Sequence, residues 1–277
     1  MKCLLVGHLV IDIIVRDAKP ETRIGGGAYY SAVALANFCD VEVLTSVGDD
    51  FPDEWLEALE RAGIKLRALP SDKSTSYELR YLDPNRRTLR LLSRATPISK
   101  APTKRYDMVL LNPVANEIPP DIVEKLKKKT AFLAADVQGF IRTPRPGNVM
   151  LQKADVSFLK GLKVVHADTS EMDYLKNLKP EEVEVFLASN GPETGFAYFR
   201  GSRYAYRPVR VEVKESTGAG DVFLASFSYF YTRCPFVQAL KRANAFTALF
   251  LEHRAFNFSE DDVNKLAMKV GVEKLTI

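Results

Sequence analysis

The chain has 277 residues, 46% of them hydrophobic and 27% charged, which is enough to close a substantial core and too apolar for a disordered chain. Its net charge of +4 is modest for this length, and no basic stripe interleaved with aromatics points to a nucleic-acid partner. The apolar runs are broken by charge well short of the roughly 18 residues of a membrane span; Lys2 precedes an apolar strand containing Asp12, with no small-residue cleavage site, so a cytoplasmic chain without a secretory leader is expected.

Short apolar runs bounded by turn or charged residues predict buried parallel strands at Cys3–Val6, Val41–Ser46, Met108–Leu111, Phe132–Ala135, Val164–His166 and Val185–Ala188. Amphipathic segments at Tyr29–Phe38, Asp53–Arg61 and Asp121–Lys128 predict helices between them. This alternation implies a doubly wound α/β sheet flanked by helices. Residues 8–24 and 75–93 break it with β-rich, partly polar pieces, Ile11–Val15, Tyr77–Tyr81 and Thr88–Leu92; the last two flank the turn signal Asp83-Pro84-Asn85. Such strands would form a small lid beside the main sheet. Val209, Val211 and Val213 alternate with charged residues, as in a half-buried strand. Three helices follow at Val222–Thr232, Phe236–Glu252 and Ser259–Val270, the last opening on a capping box of Ser259 and Asp262. No repeat, low-complexity tract or linker intervenes, so one domain is expected over residues 1–277. Cys3, Cys39 and Cys234 form no C-x-x-C pair and read as small buried hydrophobes. The aromatic run Phe223–Tyr231 reads as core packing.

The chemistry concentrates at Ser216-Thr217-Gly218-Ala219-Gly220-Asp221, between the valine-alternating segment and an apolar helix. Small residues let the backbone turn tightly and leave its amides uncovered. At a helix start those donors and the positive dipole end converge, which suits a transferring phosphoryl group. Asp221 beside them is placed to take the proton of an attacking hydroxyl. By itself the tetrapeptide Gly218–Asp221 also fits an ordinary glycine-rich turn with Asp221 capping the helix. No G-x-x-x-x-G-K-[ST] or H-E-x-x-H is present, and only Gly7 stands where a dinucleotide fingerprint would begin. Of the three histidines, His8 stands nearest a substrate cleft, at the end of the first strand, but none of the three is expected to carry function.

Ser216–Asp221 and its helix resemble the D-T-G-A-G-D signature of the ribokinase-like (PfkB) carbohydrate kinases, with Ser216 at the first position. The resemblance runs along nearly the whole chain. Gly7–Asp12 is similar to the first strand and turn of that family, whose Asp binds substrate hydroxyls, which places Asp12 at the acceptor. Gly25–Gly27 and the following helix resemble its di-glycine hinge, with Gly26 and Gly27 near substrate and Tyr30 where an Asn usually contacts sugar. Asp168-Thr169-Ser170-Glu171 resembles an N-x-x-E element that arranges magnesium through water, implying Glu171 and Asp168 for the metal. Ser189–Gly195 resembles a loop that touches nucleotide phosphates, implying Asn190, Gly191 and Gly195 for ATP. Thr217 joins them on the donor side, and Asn244 lies on the helix expected to wall the adenine.

Asp136–Arg142 follows a buried strand, where α/β enzymes place ligands. Gln138 would hydrogen-bond a polyol and Arg142 would reach the γ-phosphate. This D-V-Q-x-x-I-R block resembles that of archaeal myo-inositol kinases within the family. The resemblance therefore implies ATP- and Mg2+-dependent phosphoryl transfer to a hydroxyl of myo-inositol, with Asp221 as base and the amides of Gly218, Ala219 and Gly220 as anion hole. A nucleoside or hexose kinase with the same machinery, and a nucleotide-binding regulator without chemistry, are the alternatives. The family's lids often pair across a dimer, so a homodimer through the lid is expected.

Overall fold

Runs of residues such as Cys3-Leu4-Leu5-Val6, fully out of water on both faces, can only be the interior of a sheet covered twice. The computed structural model describes residues 1–16, 19–83, 86–213 and 215–276. The first half of the chain runs β1 (Lys2–Val6), β2 (Val10–Arg16), β3 (Lys19–Gly25), α1 (Gly27–Ala36), β4 (Asp40–Val47), α2 (Asp53–Arg61), β5 (Lys65–Pro70), β6 (Thr75–Asp83), β7 (Arg86–Ser93), β8 (Met108–Leu111), α3 (Pro120–Lys127) and β9 (Leu133–Asp136). The second half adds β10 (Gly147–Asn148), β11 (Ala154–Asp155), β12 (Val164–Asp168), β13 (Leu175–Lys176), β14 (Val185–Ser189), β15 (Gly195–Phe199), β16 (Ser202–Arg207), α4 (Ala219–Tyr231), α5 (Phe236–His253), α6 (Glu260–Ala267) and β17 (Gly271–Leu275).

The main sheet is ordered β17-β16-β15-β14-β12-β9-β8-β1-β4-β5. Pairing is parallel from β5 through β14 and antiparallel among β14 to β17. Side chains of β1 alternate between two cores: Cys3 and Leu5 pack with α1, α4 and α5, whereas Leu4 and Val6 pack with α3. This is a ribokinase-like α/β fold, a large mixed sheet flanked by helices. A second sheet, ordered β10-β7-β6-β2-β3, keeps its own cluster of Val10, Ile14, Tyr77, Leu79 and Leu91 against Val114 and Ala115.

Some expectations shift. The alternating segment Val209–Val213 forms no strand; the edge of β16 that it would extend is occupied by β17, paired from Arg203↔Leu275 to Arg207↔Gly271. β3 is too polar to announce itself, yet it pairs with β2 along its length. Pro84 and Asn85 of the expected turn lie outside the described residues. Ser259 caps α6, its Oγ accepting from the Asp262 amide at 3.1 Å. No helix of the described residues is long and apolar enough to cross a membrane.

Candidate active site

Parallel strands end on the same side of a sheet, so the polar residues that follow each apolar run meet there. Asn112 follows β8, Asp136 closes β9, Asp168 closes β12 and Ser189 closes β14. The amino ends of α1 and α4 converge on the same spot. A Cβ on Gly27 would fall 2.3 Å from Asp221 Oδ1 and 3.0 Å from Asn112 Cβ, so the two helix starts touch through the Asp221 carboxylate.

Asn112 Nδ2 donates to Asp221 Oδ1 at 3.4 Å and to Ser31 Oγ at 3.0 Å, and Ser31 Oγ donates to the Asp221 carbonyl at 3.2 Å. Asp221 is 8% exposed. Burial and the charge of Asp136 push its carboxyl up to about 7, with His166, Asn112 and Arg142 pulling the other way. Asp136 accepts from the Gln138 amide at 2.8 Å and pairs with His166 Nδ1 at 2.6 Å; His166 Nε2 lies 3.0 Å from Ser189 Oγ. Burial opposes a charge on His166, but Asp136 outweighs it and raises the imidazole above its ordinary value. Gly220 sits over that ring, where a Cβ would stand 3.0 Å from His166 Cε1.

Gly218 is left-handed, at φ 84, and a Cβ there would be 2.4 Å from Tyr30 Cγ, so no other residue fits without strain. The Ala219 amide is taken by the Ser216 carbonyl at 3.1 Å, which corrects its expected share in the anion hole. Helix geometry leaves Gly220 and Asp221 without intrahelical acceptors for their amides. Thr217 lies 3.3 Å, Oγ1 to hydroxyl, from Tyr81 of β6.

Asp12, on β2, is 5% exposed and lies against the Gly25 backbone, beside Tyr77 in register on β6. Gly26, at φ 93, precedes α1. Arg142 donates to Gln138 Oε1, joining the two ends of a single 3-10 turn. Asp168 and Glu171 form a reciprocal cap: Ser170 N donates to Asp168 Oδ1 and Asp168 N to Glu171 Oε2, each at 2.9 Å. Burial and Asp136 raise Glu171 to about 7, against the Asp168 amide, Arg142 and His166. Asn190 accepts from Thr169 at 3.1 Å, which ties the 190–194 turn to that cap; Gly191 is exposed and Gly195 is covered by the Tyr206 ring.

Two expected site residues are committed elsewhere. Tyr30 is 5% exposed, its ring behind Gly218. Asn244 turns its amide onto the Leu240 carbonyl of its own helix at 2.8 Å. His8 does not face a cleft: its ring is buried between Thr75 Oγ1 at 2.7 Å and the Thr96 carbonyl at 3.0 Å. Conversely, Asn112, Ser31 and His166 join this cluster, although their segments announce only a strand, a helix and a strand. The available signal is a polar residue within or just after an apolar strand, as in Val164-Val165-His166 and Leu110-Leu111-Asn112.

An inositol 3-kinase of Arabidopsis thaliana is 23% identical over 240 residues, 80% of this chain, and the chain spans 66% of that relative. A solved pyrophosphate-dependent kinase of the ribokinase family is 25% identical and superposes with a TM-score of 0.79, covering 95% of this chain and 99% of its own. Another, a pyrophosphate-dependent kinase complexed with a pyrophosphate analogue and myo-inositol, is 24% identical at a TM-score of 0.77, covering 95% and 99%. The family model described as pfkB family carbohydrate kinase matches residues 2–262, and the chain belongs to that family.

Proposed function

We propose that this protein transfers a phosphoryl group to a hydroxyl of a small polyol, myo-inositol, with ATP as donor and magnesium as the metal. The observation that carries this reading is Asp221: a nearly buried carboxylate at a helix start, beside a left-handed glycine, with its proton affinity raised to about 7. A base poised near neutral pH can take a hydroxyl proton and release it again. The inositol 3-kinase and the solved kinase with bound myo-inositol support the acceptor.

The acceptor hydroxyl gives its proton to Asp221 while its oxygen forms a bond to phosphorus; the bond from phosphorus to the bridging oxygen of the donor breaks, and the electron pair leaves on that oxygen. The amides of Gly218, Gly220 and Asp221 offset the charge spread over the phosphoryl oxygens. Asn112 orients the carboxylate. Asp12 and Gln138 bind ring hydroxyls, and Arg142, clamped by Gln138, turns its charge to the donor. Among the described residues no three His, Cys, Asp or Glu side chains group as a direct metal site; the fit is to a hydrated cation held through water by Glu171 and Asp168, where the carboxylates of Asp136, Glu171 and Asp221 gather negative charge. Such an ion would neutralise the donor phosphates. The outer face of the second sheet is the surface proposed for a homodimer.

A second reading concerns the donor. The solved relative at 25% identity is pyrophosphate-dependent, and Asn244, expected at the adenine, is bonded within α5. Both favour pyrophosphate. Incubation with myo-inositol, magnesium and either ATP or pyrophosphate, with the phosphate ester identified by phosphorus NMR, tests both readings. Ester formation with ATP supports the first and formation with pyrophosphate alone supports the second. Ribose, fructose, adenosine and cytidine complete the panel, and a preference for any of them overturns inositol. No ester from any acceptor with either donor overturns the kinase.

A further inference from the structure

Arg254 ends α5 in the left-handed conformation, at φ 52, and its guanidinium folds back over Phe250, 4.2 Å from the ring centroid. From there it reaches the segment that leads into α4. Nη1 donates to the carbonyls of Glu215 at 3.2 Å and Thr217 at 3.0 Å, which flank Ser216, the residue whose carbonyl takes the Ala219 amide. Nη2 lies 3.9 Å from Glu215 Oε1. The Glu215 carboxylate, 5% exposed, also accepts from Arg16 of β2 at 2.9 Å and from Arg23 of β3. Burial works against its charge, yet Arg23 and Arg254 hold its carboxyl down at about 2. The guanidinium stands 5.8 Å from the Tyr30 ring, the ring that abuts Gly218.

One planar cation therefore fastens the backbone just upstream of Gly218 and stands over the ring that abuts Gly218. Residues 208–213, 215 and 216 are otherwise irregular, and among the described residues none of these joins a sheet ladder. A hole made of helix-start amides works only if they already point at the phosphoryl oxygens before the reaction, and misplacement by about 1 Å can cost a hundredfold in rate.

We propose that Arg254 is a positioning residue for phosphoryl transfer, fixing residues 215–217 so that the Gly218–Asp221 turn meets the reacting atoms, and that Glu215 links this frame to β2 and β3. Its effect on rate rests on the kinase reading above; its effect on the order of the turn does not. Arg254→Ala should lower kcat about tenfold to a hundredfold while acceptor KM changes less than about threefold. Added guanidinium ion should restore part of that loss. Arg254→Lys should recover less than the wild type, because an ammonium lacks the planar fork. Hydrogen exchange over residues 215–222 should quicken about tenfold in Arg254→Ala, the factor for losing roughly 1.4 kcal/mol of local protection.

A merely structural arginine would lower Tm but leave kcat per folded molecule, and guanidinium would not help; that result overturns the inference, as does unchanged exchange over 215–222. Should the wild type phosphorylate nothing, the kinase reading falls, and the exchange measurement alone decides for or against the positioning role. Should Arg254→Ala fail to fold, Arg254→Lys carries the same measurements.

Discussion

The parallel strands bury a carboxylate at each of their two ends, and the two are treated in opposite ways. Glu42 of β4, near the amino ends, is 6% exposed, and Asp221 at the carboxyl ends is 8% exposed. Burial pushes up the carboxyl of Glu42, but Lys104 and Arg67 outweigh it and hold the group below its ordinary value; Arg67 Nε donates to Oε1 at 3.1 Å. Asp40, at the start of β4, has Lys65 at 2.7 Å. At the other end Asp136, Glu171 and Asp221 share one imidazole and one guanidinium, and two of the three rise to about 7. Similar exposure to water with opposite proton affinity separates a structural ion pair from a candidate site: Asp221 lies deeper and is under-compensated, which costs stability, and such a cost is maintained where a proton has to move.

Removing the carboxylate proposed as base should break this contrast most sharply. Asp221→Asn keeps the shape and the Asn112 contact but loses the base, so kcat should fall roughly a hundredfold to ten-thousandfold. Its thermal stability at pH 8 should exceed that of the wild type. The sign follows from the raised proton affinity: the folded carboxyl holds its proton up to about 7, whereas an unfolded one loses it near 4. Ionisation therefore costs stability progressively over that interval, fully above it, and the amide escapes the cost. Turnover within about twofold of the wild type would exclude Asp221 as the base. A smaller loss is expected for Gly27→Ala, whose methyl would meet Asp221 Oδ1 at 2.3 Å. Displacing that carboxylate should lower kcat about tenfold to a hundredfold, measured beside a circular dichroism spectrum that shows the fold retained.

The same contrast predicts a pH profile. With Asp221 buried and titrating near 7 beside Asp136, His166, Asn112 and Arg142, the proposed base is protonated and idle in acid. The logarithm of kcat/KM should rise with unit slope and level off above about 7, so activity at pH 6 is about a tenth of the plateau. A profile flat from pH 5.5 to 8 would mean that the carboxylate is compensated after all, as Glu42 is.

Which of these features can be read from the sequence depends on how local their physics is. Gly218 and Asp221 are legible because a left-handed turn and a helix start are determined within six residues, and the strands of the main sheet because burial on both faces forces continuous apolar runs. Asn112 and His166 are not, since their meaning comes from strand order: only the adjacency of β8, β9 and β12 brings three strand ends to one carboxylate. Arg254 is hidden for another reason. A left-handed helix end usually calls for glycine, and an arginine there carries no signal until its guanidinium is seen on the Glu215 and Thr217 carbonyls. Val209–Val213 shows the reverse failure, in which a strand-like pattern is left unpaired because the distant β17 took the edge.

The smallest effect is expected at the amino ends, where it sharpens the comparison by leaving chemistry alone. Glu42→Gln removes the charge from a pair whose cations, Arg67 and Lys104, are about half exposed, at 47% and 50%. They can turn to water, and the amide oxygen still accepts a hydrogen bond. The cost should be on the order of 1 kcal/mol, a fall in Tm of roughly 2–4 °C, with kcat and its pH profile unchanged. A shift of the profile toward acid or base would show that the two ends of the sheet are electrostatically joined; an unchanged profile means that the raised affinity of Asp221 is made locally, by Asp136 and by burial.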